Sequence, residues 1–282
     1  MAMQTILKGK TGQVVIDTNG PVVIIGECIN PTRRKKLVSS LQEGNFDFVL
    51  ELAANQIKAG AEVLDVNVGY PGVDDVRLLP EAVHAIIDNF DIPLCLDSPN
   101  PKAIEAGLKA AGGKCLINSV NGEEKSMNAL LHIAREYDAA IIGLCMDDDG
   151  ITQDPQKRLS IAEKILARAV REGIKTENVI IDPLAMAVSA DPRACIITLE
   201  TIRLVHEKLG LNITMGASNI SFGLPNREAL NSAFMALSII NGLTCPIANP
   251  EKITAAVRAT DLIRGRDDYA VRFVEHFQAN GN

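Results

Sequence analysis

Acidic and amide side chains end several apolar runs of this sequence, and they are the residues whose types and spacing could do chemistry. The pattern is clearest in residues 180–183 (IIDP), where an apolar run ends in a carboxylate and a proline. Three further runs share it, at residues 63–67 (VLDVN), 94–98 (LCLDS) and 115–119 (CLINS). Carboxylates accept paired hydrogen bonds, and carboxamides donate and accept at once. Together these side chains suit one flat, polar ligand that carries ring nitrogens and N–H donors.

The elements that must position these side chains are short apolar runs that alternate with helical segments. A run that is apolar throughout indicates a strand buried on both faces of a parallel sheet. Such strands are predicted at residues 22–27, 62–67, 93–97, 115–118, 140–146, 178–182, 212–216 and 244–247. Helices are predicted at residues 46–59, 78–89, 102–111, 125–137, 156–172, 193–209, 226–240 and 251–264. Eight consecutive strand–helix units predict an α/β fold, a (β/α)8 TIM barrel, with a doubly wound open sheet as the alternative.

The remaining segments are short and lie at the two ends of the barrel sequence. We expect a single domain over residues 1–282, because no linker or low-complexity segment interrupts the chain. Residues 21–264 would form the barrel, and residues 265–282 a C-terminal helix on its outside. Residues 1–20 would form an N-terminal hairpin that plugs one end of the barrel, with Asn19-Gly20 as the turn signal.

Polar side chains stand at or just beyond the carboxyl ends of the predicted strands, where the loops of a TIM barrel form the ligand-binding mouth. The candidates are Glu27, Asn30, Asp65, Asn67, Asp97, Ser98, Asn118, Ser119, Asp147, Asp182, Ser218, Asn219 and Asn249. A single aspartate in such a place usually caps a helix or braces a loop. Repetition over several strands is what favours a shared function.

Histidine and cysteine patterns give no metal site. All four histidines fall on predicted helices, so neither a histidine base nor a histidine metal cage is predicted. The six cysteines form no CxxC pair, and we interpret them as buried thiols in a reducing compartment rather than as zinc ligands. Neither GxGxxG nor GxxxxGK[ST] occurs, which disfavours a dinucleotide fingerprint or a P-loop.

Composition excludes some partners. Apolar residues make up 47% and charged residues 22%, which allows a large buried core. Aromatic residues are only 4% and the net charge is −7, so nucleic acid is not an expected partner. No apolar run of about 18 residues and no signal segment is evident, so we expect no membrane contact and a cytoplasmic location. The basic residues 33–36 (RRKK) are interpreted as a solvated face, or else as a site that attracts an anionic tail or an acidic partner.

A family resemblance covers about residues 22–262. Residues 26–32 (GECINPT) and 64–67 (LDVN) resemble the pterin-binding barrels of folate-dependent methyltransferases. The other similar stretches are residues 96–98 (LDS), 103–109 (AIEAGLK), 117–119 (INS), 181–183 (IDP), 216–223 (GASNISFG) and 226–227 (NR). The pattern is most similar to methyltetrahydrofolate:corrinoid protein methyltransferases, and next to the folate domain of cobalamin-dependent methionine synthase. Dihydropteroate synthase shares the barrel but has a lysine motif after strand six, where residues 184–187 (LAMA) have none.

The resemblance implies roles for eight of the candidates. Asp97, Asn118 and Asp182 would hydrogen-bond the pterin ring, with Asp182 at its aminopyrimidine edge. Asn219 would be the catalytic residue, because it would hydrogen-bond near N5, the atom that carries the methyl group. Four further side chains would line or brace the pocket: Asp65, Asn67, Glu27 and Ser218.

The implied reaction is methyl transfer between N5 of tetrahydrofolate (5-methyltetrahydrofolate when methylated) and the cobalt of a corrinoid such as cobalamin. The sequence has no Asp-x-His-x-x-Gly corrinoid-binding signature, so the corrinoid would arrive on a separate partner protein that docks over the barrel mouth. Family members are usually homodimers, and we expect one here. The alternatives are a dihydropteroate synthase-like condensing enzyme and a non-catalytic pterin-binding protein.

Overall fold

A computed structural model describes residues 2–279 of the chain, and over this range it contains ten strands and ten α-helices. The strands are β1 (Gln4–Lys8), β2 (Gln13–Asp17), β3 (Ile25–Ile29), β4 (Val63–Val66), β5 (Leu94–Asp97), β6 (Leu116–Asn121), β7 (Ala140–Leu144), β8 (Val179–Asp182), β9 (Asn212–Ile213) and β10 (Ile247–Ala248). The helices are α1 (Lys35–Gln42), α2 (Asp47–Lys58), α3 (Asp75–Asn89), α4 (Pro101–Ala111), α5 (Glu124–Glu136), α6 (Pro155–Arg171), α7 (Ala194–Leu209), α8 (Arg227–Asn241), α9 (Pro250–Ile263) and α10 (Val271–Ala279).

Strands β3 to β10 form one parallel sheet that curls into a barrel. Neighbouring strands follow in chain order from β3 to β9, and β10 pairs with β3. The last gap is closed beyond the end of β9, where the N–H of Ile247 donates to the carbonyl of Met215 at 2.9 Å. The TIM-barrel prediction is therefore confirmed over the open-sheet alternative.

Helix caps fix where several helices leave the barrel mouth. Asn100, Asp154 and Asn249 each precede a proline, and each accepts a hydrogen bond from a backbone N–H in the first turn of its helix. An N-cap side chain followed by proline at the first helical position is a strong start signal. The predicted starts at residues 102, 156 and 251 each lie one residue after the observed start.

The N-terminal hairpin is confirmed, but its turn was placed wrongly. The turn lies at residues 9–12, where the Gly9 N–H donates to the Gly12 carbonyl at 3.0 Å. Asp91 from the barrel braces it by accepting from the Gly12 N–H at 2.9 Å. Asn19-Gly20 follows β2 and leads into the barrel instead. Gly9 suits the turn because a Cβ there would come within 2.7 Å of the Asp91 carboxylate.

The hairpin plugs the amino-terminal end of the barrel, as predicted. Leu7 and Ile16 are fully buried and pack with the residues that fill this end of the barrel interior. The Asn212 amide donates to Thr5 Oγ1 at 3.0 Å and to the Ile16 carbonyl at 2.8 Å. Both apolar and polar contacts therefore join the hairpin to β9.

Three other element predictions need correction. The sequence reading had no helix at α1, because its N-cap residue Arg34 makes no capping hydrogen bond and its first turn holds no acidic residue. Strands β9 and β10 span two residues each, shorter than the predicted 212–216 and 244–247. The helix α10 begins at Val271 rather than at residue 265, and its predicted end at residues 280–282 lies outside the described range.

The cysteine prediction agrees with the structure at five positions. Five of the six thiols are buried and Cys195 is partly exposed. Within residues 2–279 no three His, Cys, Asp or Glu side chains are grouped so that they could hold a metal ion. No helix in the same range is both long and apolar enough to cross a membrane.

Candidate functional site

Four of the predicted site residues form two hydrogen-bonded pairs across three adjacent strands. Asn67, one residue beyond β4, donates through Nδ2 to Asp97 Oδ2 on β5 at 2.8 Å. Asn118 on β6 donates through Nδ2 to Asp65 Oδ1 on β4 at 3.0 Å. The carboxyl ends of parallel strands meet at one edge, so residues far apart in sequence lie together there.

The two carboxyl groups of this network share one buried environment. Asp65 is 3% exposed, and burial together with the neighbouring Asp97 carboxylate raises its pKa to about 7. Burial also raises the pKa of Asp97, while the hydrogen bond from Asn67 acts in the opposite direction. Like charges at close range cannot both ionise freely. Near neutral pH this pair can therefore hold a proton.

Asp182 lies at the end of β8 and is 7% exposed. Its Oδ1 accepts from the Leu184 N–H at 2.7 Å, and its carboxylate also accepts from the N–H of Gly216. Burial raises the pKa of Asp182 to about 7 against the effect of these hydrogen bonds. The Gly216 bond links this carboxylate to the segment that carries Asn219.

Arg158 of α6 supports Asp182, and sequence reasoning missed it. Its Nη1 donates to the carbonyls of Pro183 at 2.7 Å and Leu184 at 2.9 Å. The side chain is only 2% exposed, and its positive charge favours the ionised form of Asp182. The available signal was its position on the otherwise apolar face of α6, because an unpaired charge is rarely buried there.

Glu27 and Ser218 join opposite ends of the barrel sequence. Ser218 donates through Oγ to Glu27 Oε1 on β3 at 2.9 Å, across 191 residues of chain. Burial raises the pKa of Glu27, and the charges of Arg34 and Arg227 partly offset that rise. The pair fixes the loop after β9 against the end of β3.

Asn219 lies in a 3-10 segment, Ala217–Ser221, and its side chain is exposed. Its amide makes no side-chain hydrogen bond within the part of the chain that the structure describes. A Cβ on Gly216 would come within 3.0 Å of Asn219 Nδ2, so glycine there gives the amide room. Asn219 is thus free to contact a substrate at the mouth.

Other candidates use their side chains locally. Asn30, Asp147 and Asn249 each accept from a backbone N–H two residues further along the chain. Ser98 donates to Asp75 Oδ2 at 2.9 Å, which braces the loop after β5 against α3. These contacts fit the turn and cap roles expected of single strand-end residues.

A cavity of about 450 Å³ opens beside the Asp97 and Asn118 side chains. It lies between the loops that follow β5 and β6, and Ser98, Ser119 and Asn121 also line it. Cavities of roughly 300–1,000 Å³ are the size of small-molecule sites. The cavity therefore offers room for a small ligand beside one carboxylate and one carboxamide of the predicted set, Asp97 and Asn118, while Asp182 and Asn219 do not line it.

Comparison with known proteins gives a family for this arrangement. The family described as pterin binding enzyme matches residues 26–249. Among curated proteins, the chain is similar to the methylcorrinoid:tetrahydrofolate methyltransferase of Eubacterium limosum, with 28% identity over 91% of this chain and 96% of that protein. It is 31% identical to the methionine synthase of Mycobacterium tuberculosis over 88% of this chain. That match spans 23% of the methionine synthase, so the chain corresponds to less than a quarter of that protein.

Solved structures support the fold. The chain is similar to the Yersinia pestis dihydropteroate synthase bound to a pterine-sulfa conjugate, with a TM-score of 0.71, 17% identity and coverage of 93% of this chain and 99% of that one. A second Yersinia pestis dihydropteroate synthase structure gives a TM-score of 0.68 at 19% identity, over 93% of this chain and 99% of that one. At these identities the likeness concerns the barrel and not the reaction.

Proposed function

Because this chain belongs to the family of pterin-binding enzymes, we propose that it is a methyltransferase acting between N5 of tetrahydrofolate and the cobalt of a corrinoid. The observation that carries the proposal is the match to a methylcorrinoid:tetrahydrofolate methyltransferase over 96% of that protein. The family is described as binding pterin, which is the ring system of folate. The chemistry of the mouth fits such a ring.

The fit rests on which polar atoms remain free. Asn118 uses Nδ2 on Asp65, which leaves its carbonyl oxygen as an acceptor. Asp97 uses one carboxylate oxygen on Asn67 and keeps the other. With the Asp182 carboxylate these groups offer three acceptors, which suits the N3–H, 2-amino and N8–H donors of a reduced pterin. We propose that Asp97, Asn118 and Asp182 bind the ring in this way.

The remaining pocket residues position these three. Asn67 and Asp65 set the orientations of the Asp97 and Asn118 side chains through the hydrogen bonds described above. Glu27 and Ser218 hold the loop after β9 in place. In this proposal they act through other residues and do not take part in the chemistry.

Asn219 is proposed as the catalytic residue. Methyl transfer from a neutral tertiary amine is slow, because N5 would leave as an amide anion, which is a poor leaving group. Positive charge at N5 lets it leave as a neutral amine instead. An exposed amide can accept a hydrogen bond from a protonated N5 or donate one to its lone pair. The corrinoid supplies the cobalt that receives or gives up the methyl group. Asn219 would stabilise the charge at N5 while Asp182 holds the far edge of the ring.

We propose that the corrinoid is carried by a separate protein that docks over the mouth. The relative's name pairs a methylcorrinoid with tetrahydrofolate, and this sequence contains no Asp-x-His-x-x-Gly segment. The mouth is where Asn219 is exposed, so a carrier must reach that end of the barrel. The other end is filled by the hairpin.

We also propose a homodimer that forms through the outer face of α8. Residues 229–241 contain no charged residue, and Leu230, Leu237 and Ile240 are 40%, 47% and 59% exposed. The adjacent α9 adds Ile263, which is 86% exposed. In a chain with a net charge of −7, an uncharged apolar face is where two copies meet without like-charge repulsion.

A dihydropteroate synthase-like reaction is less well supported. The likeness to those structures is at 17% identity, and residues 184–187 carry no lysine. The cation near this segment is instead the buried Arg158, which donates to the Leu184 carbonyl. No observation favours condensation over methyl transfer.

Methyl exchange tests the proposal. The purified chain would be incubated with 5-methyltetrahydrofolate and free cob(I)alamin, and separately with tetrahydrofolate and methylcobalamin. We expect enzyme-dependent transfer in at least one direction, seen as the change in the cobalamin absorption spectrum. Folate binding without transfer in either direction would instead leave a non-catalytic pterin-binding protein.

A further inference from the structure

Three arginines at the barrel mouth have no role in the reaction proposed above. We call Arg33, Arg34 and Arg227 the basic rim. Within residues 2–279, no carboxylate oxygen lies within 4.0 Å of their guanidinium groups. The sequence has 35 acidic and 28 basic residues, so acidic partners are plentiful in this chain. Three arginines that lie together without such a partner therefore indicate a site for an anionic ligand.

Contacts show that the basic rim is one cluster. The Arg33 guanidinium lies 5.0 Å from the ring centre of Phe222, and Phe222 follows directly after Ser221, which accepts from Arg227 Nε at 2.9 Å. Arg34 and Arg227 both act electrostatically on the Glu27 carboxylate. The rim therefore spans the loops after β3 and β9.

Two of these arginines are held in place by contacts that leave some of their guanidinium N–H groups for a ligand. Arg227 is fixed by Ser221 and by the Ser218 carbonyl, which accepts from its Nη2 at 2.7 Å. Arg33 is exposed, and its guanidinium lies over the Phe222 ring. A guanidinium over an aromatic ring still has N–H groups that can donate to carboxylates.

The orientation of folate in the proposed site brings its tail to this rim, and this step rests on the proposed function. With Asp182 on the aminopyrimidine edge and Asn219 at N5, the adjacent ring atom C6 also faces the loop after β9. C6 carries the p-aminobenzoyl-glutamate tail. The tail must leave the pocket past Phe222, which is 47% exposed and three residues after Asn219.

A second cavity gives the tail room beyond Phe222. It has a volume of about 410 Å³, lies between the loops after β3 and β4, and is lined by Thr32, Arg33, Gln42 and Tyr70. Its lining combines one cation with polar groups and an aromatic ring. That chemistry suits amide-linked carboxylates.

We propose that the basic rim binds the glutamate carboxylates of the folate tail, so that the protein selects folates that carry a γ-linked oligoglutamate. Phe222 packs against the p-aminobenzoyl ring, and Arg33 and Arg227 bind carboxylates on either side of it. Each added γ-glutamyl residue brings one more carboxylate into the field of the rim.

Direct binding tests this inference without any corrinoid. Dissociation constants would be measured by calorimetry for tetrahydrofolate with one and with three glutamates, using the full chain. We expect the triglutamate to bind about tenfold more tightly at low salt, from two further exposed ion pairs. The ratio should fall towards one as ionic strength rises to about 0.5 M, because salt screens exposed charges.

Variants then assign the effect to the rim. In Arg33→Gln the triglutamate-to-monoglutamate ratio should fall about threefold, and in Arg33→Gln/Arg227→Gln it should approach one. The matched control is Arg171→Gln, an exposed arginine at the end of α6. It should leave the ratio unchanged. Arg33→Gln serves as the decisive variant, because Arg33 is exposed and makes no side-chain hydrogen bond or ion pair within residues 2–279, whereas Arg227 holds the Ser218 carbonyl.

Equal affinity for the two folates in the unaltered protein overturns this inference. If the monoglutamate binds and methyl transfer proceeds, the proposed function stands while the tail site fails. A ratio that Arg33→Gln leaves unchanged, with weakened binding of an acidic carrier protein, also overturns it and assigns the rim to that partner. If neither folate binds, the proposed function fails and the tail site fails with it.

Discussion

Asn67 donates a 2.8 Å hydrogen bond to Asp97 across two neighbouring strands, and this bond selects which carboxylate oxygen of Asp97 faces a ligand. Without it the carboxylate could rotate, and its pKa would rise further because the bond lowers it. Asn67 therefore acts as a positioning residue for the proposed pterin site.

The first prediction concerns this bond. Asn67→Ala should weaken tetrahydrofolate binding about fivefold, from the loss of roughly 1 kcal/mol of hydrogen bonding. Turnover at saturating folate should change little, because the bond acts on the far side of the ring from N5. Calorimetric binding and saturation kinetics check this split. A fall in turnover without a change in affinity would contradict a positioning role.

The second prediction separates catalysis from binding at Asn219. Asn219→Ala should keep folate affinity within about threefold of the unaltered protein and lower turnover about 100-fold, because it removes the amide that hydrogen-bonds N5 as charge develops there. The control is Asn55→Ala, an exposed amide on α2. If affinity collapses instead, Asn219 is mainly a binding group.

The third prediction treats Asp182 as the pterin anchor. Asp182→Ala should weaken folate binding more than about 100-fold, because it removes a buried charged acceptor from the ring edge. Asp147→Ala is the matched control, since Asp147 lies at the same mouth but uses its carboxylate in its own turn. Comparable losses in the two variants would show general disruption of the mouth. Thermal melts of both proteins identify unfolding.

The fourth prediction uses the pKa of Asp65, which burial raises to about 7 from an ordinary value of 3.8. A carboxyl with a raised pKa binds protons more tightly when folded, so its contribution to stability is present below its unfolded pKa and is lost as pH rises through about 7. Asp65→Asn should therefore be more stable than the unaltered protein by a few kcal/mol at about pH 8, and the difference should shrink towards about pH 4.

Urea unfolding at several pH values measures this difference. Asp148→Asn, an exposed carboxylate in the loop after β7, is the control and should show no pH-dependent gain. A stability difference for Asp65→Asn that stays constant with pH would contradict a pKa of Asp65 raised by burial.

The fifth prediction tests the α8 face. Leu237→Glu should convert a dimer to a monomer, because it places a charge in an apolar face that two copies would share. Val170→Glu is the control, since Val170 is 48% exposed on α6, away from that face. Light scattering after gel filtration gives the masses. A monomeric unaltered protein would exclude the proposed dimer.

The pattern of apolar and polar residues predicted the barrel well, because each strand and helix depends mainly on the residues of its own short stretch of sequence. The apolar runs and the Asn100 and Asp154 caps place elements without knowledge of their neighbours. The helix α1 carries no such local signal, since it starts at basic residues without a capping side chain. The lengths of β9 and β10 were overestimated, because flanking residues such as Thr214 and Thr244 make single backbone hydrogen bonds to neighbouring strands without extending the regular pairing beyond two residues.

Partners within the site could not be read from sequence. The positions of these side chains follow from strand ends, but their partners do not: Asn67 and Asp97 are 30 residues apart, and Asp65 and Asn118 are 53 apart. Arg158 was missed for a related reason. Its partners are carbonyl groups of the segment after β8. Every residue has a backbone carbonyl, so the sequence does not show which of them will accept a hydrogen bond.

The hairpin plug has a consequence for how the chain folds. Thr5 accepts a hydrogen bond from Asn212, 207 residues later, so the hairpin cannot reach its final place until β9 has been made. Contacts this distant in sequence slow folding, since the loop between them must close first. The contacts between the hairpin and the amino-terminal end of the barrel are therefore among the last to form. Hydrogen exchange at the hairpin amides would report when the barrel is complete.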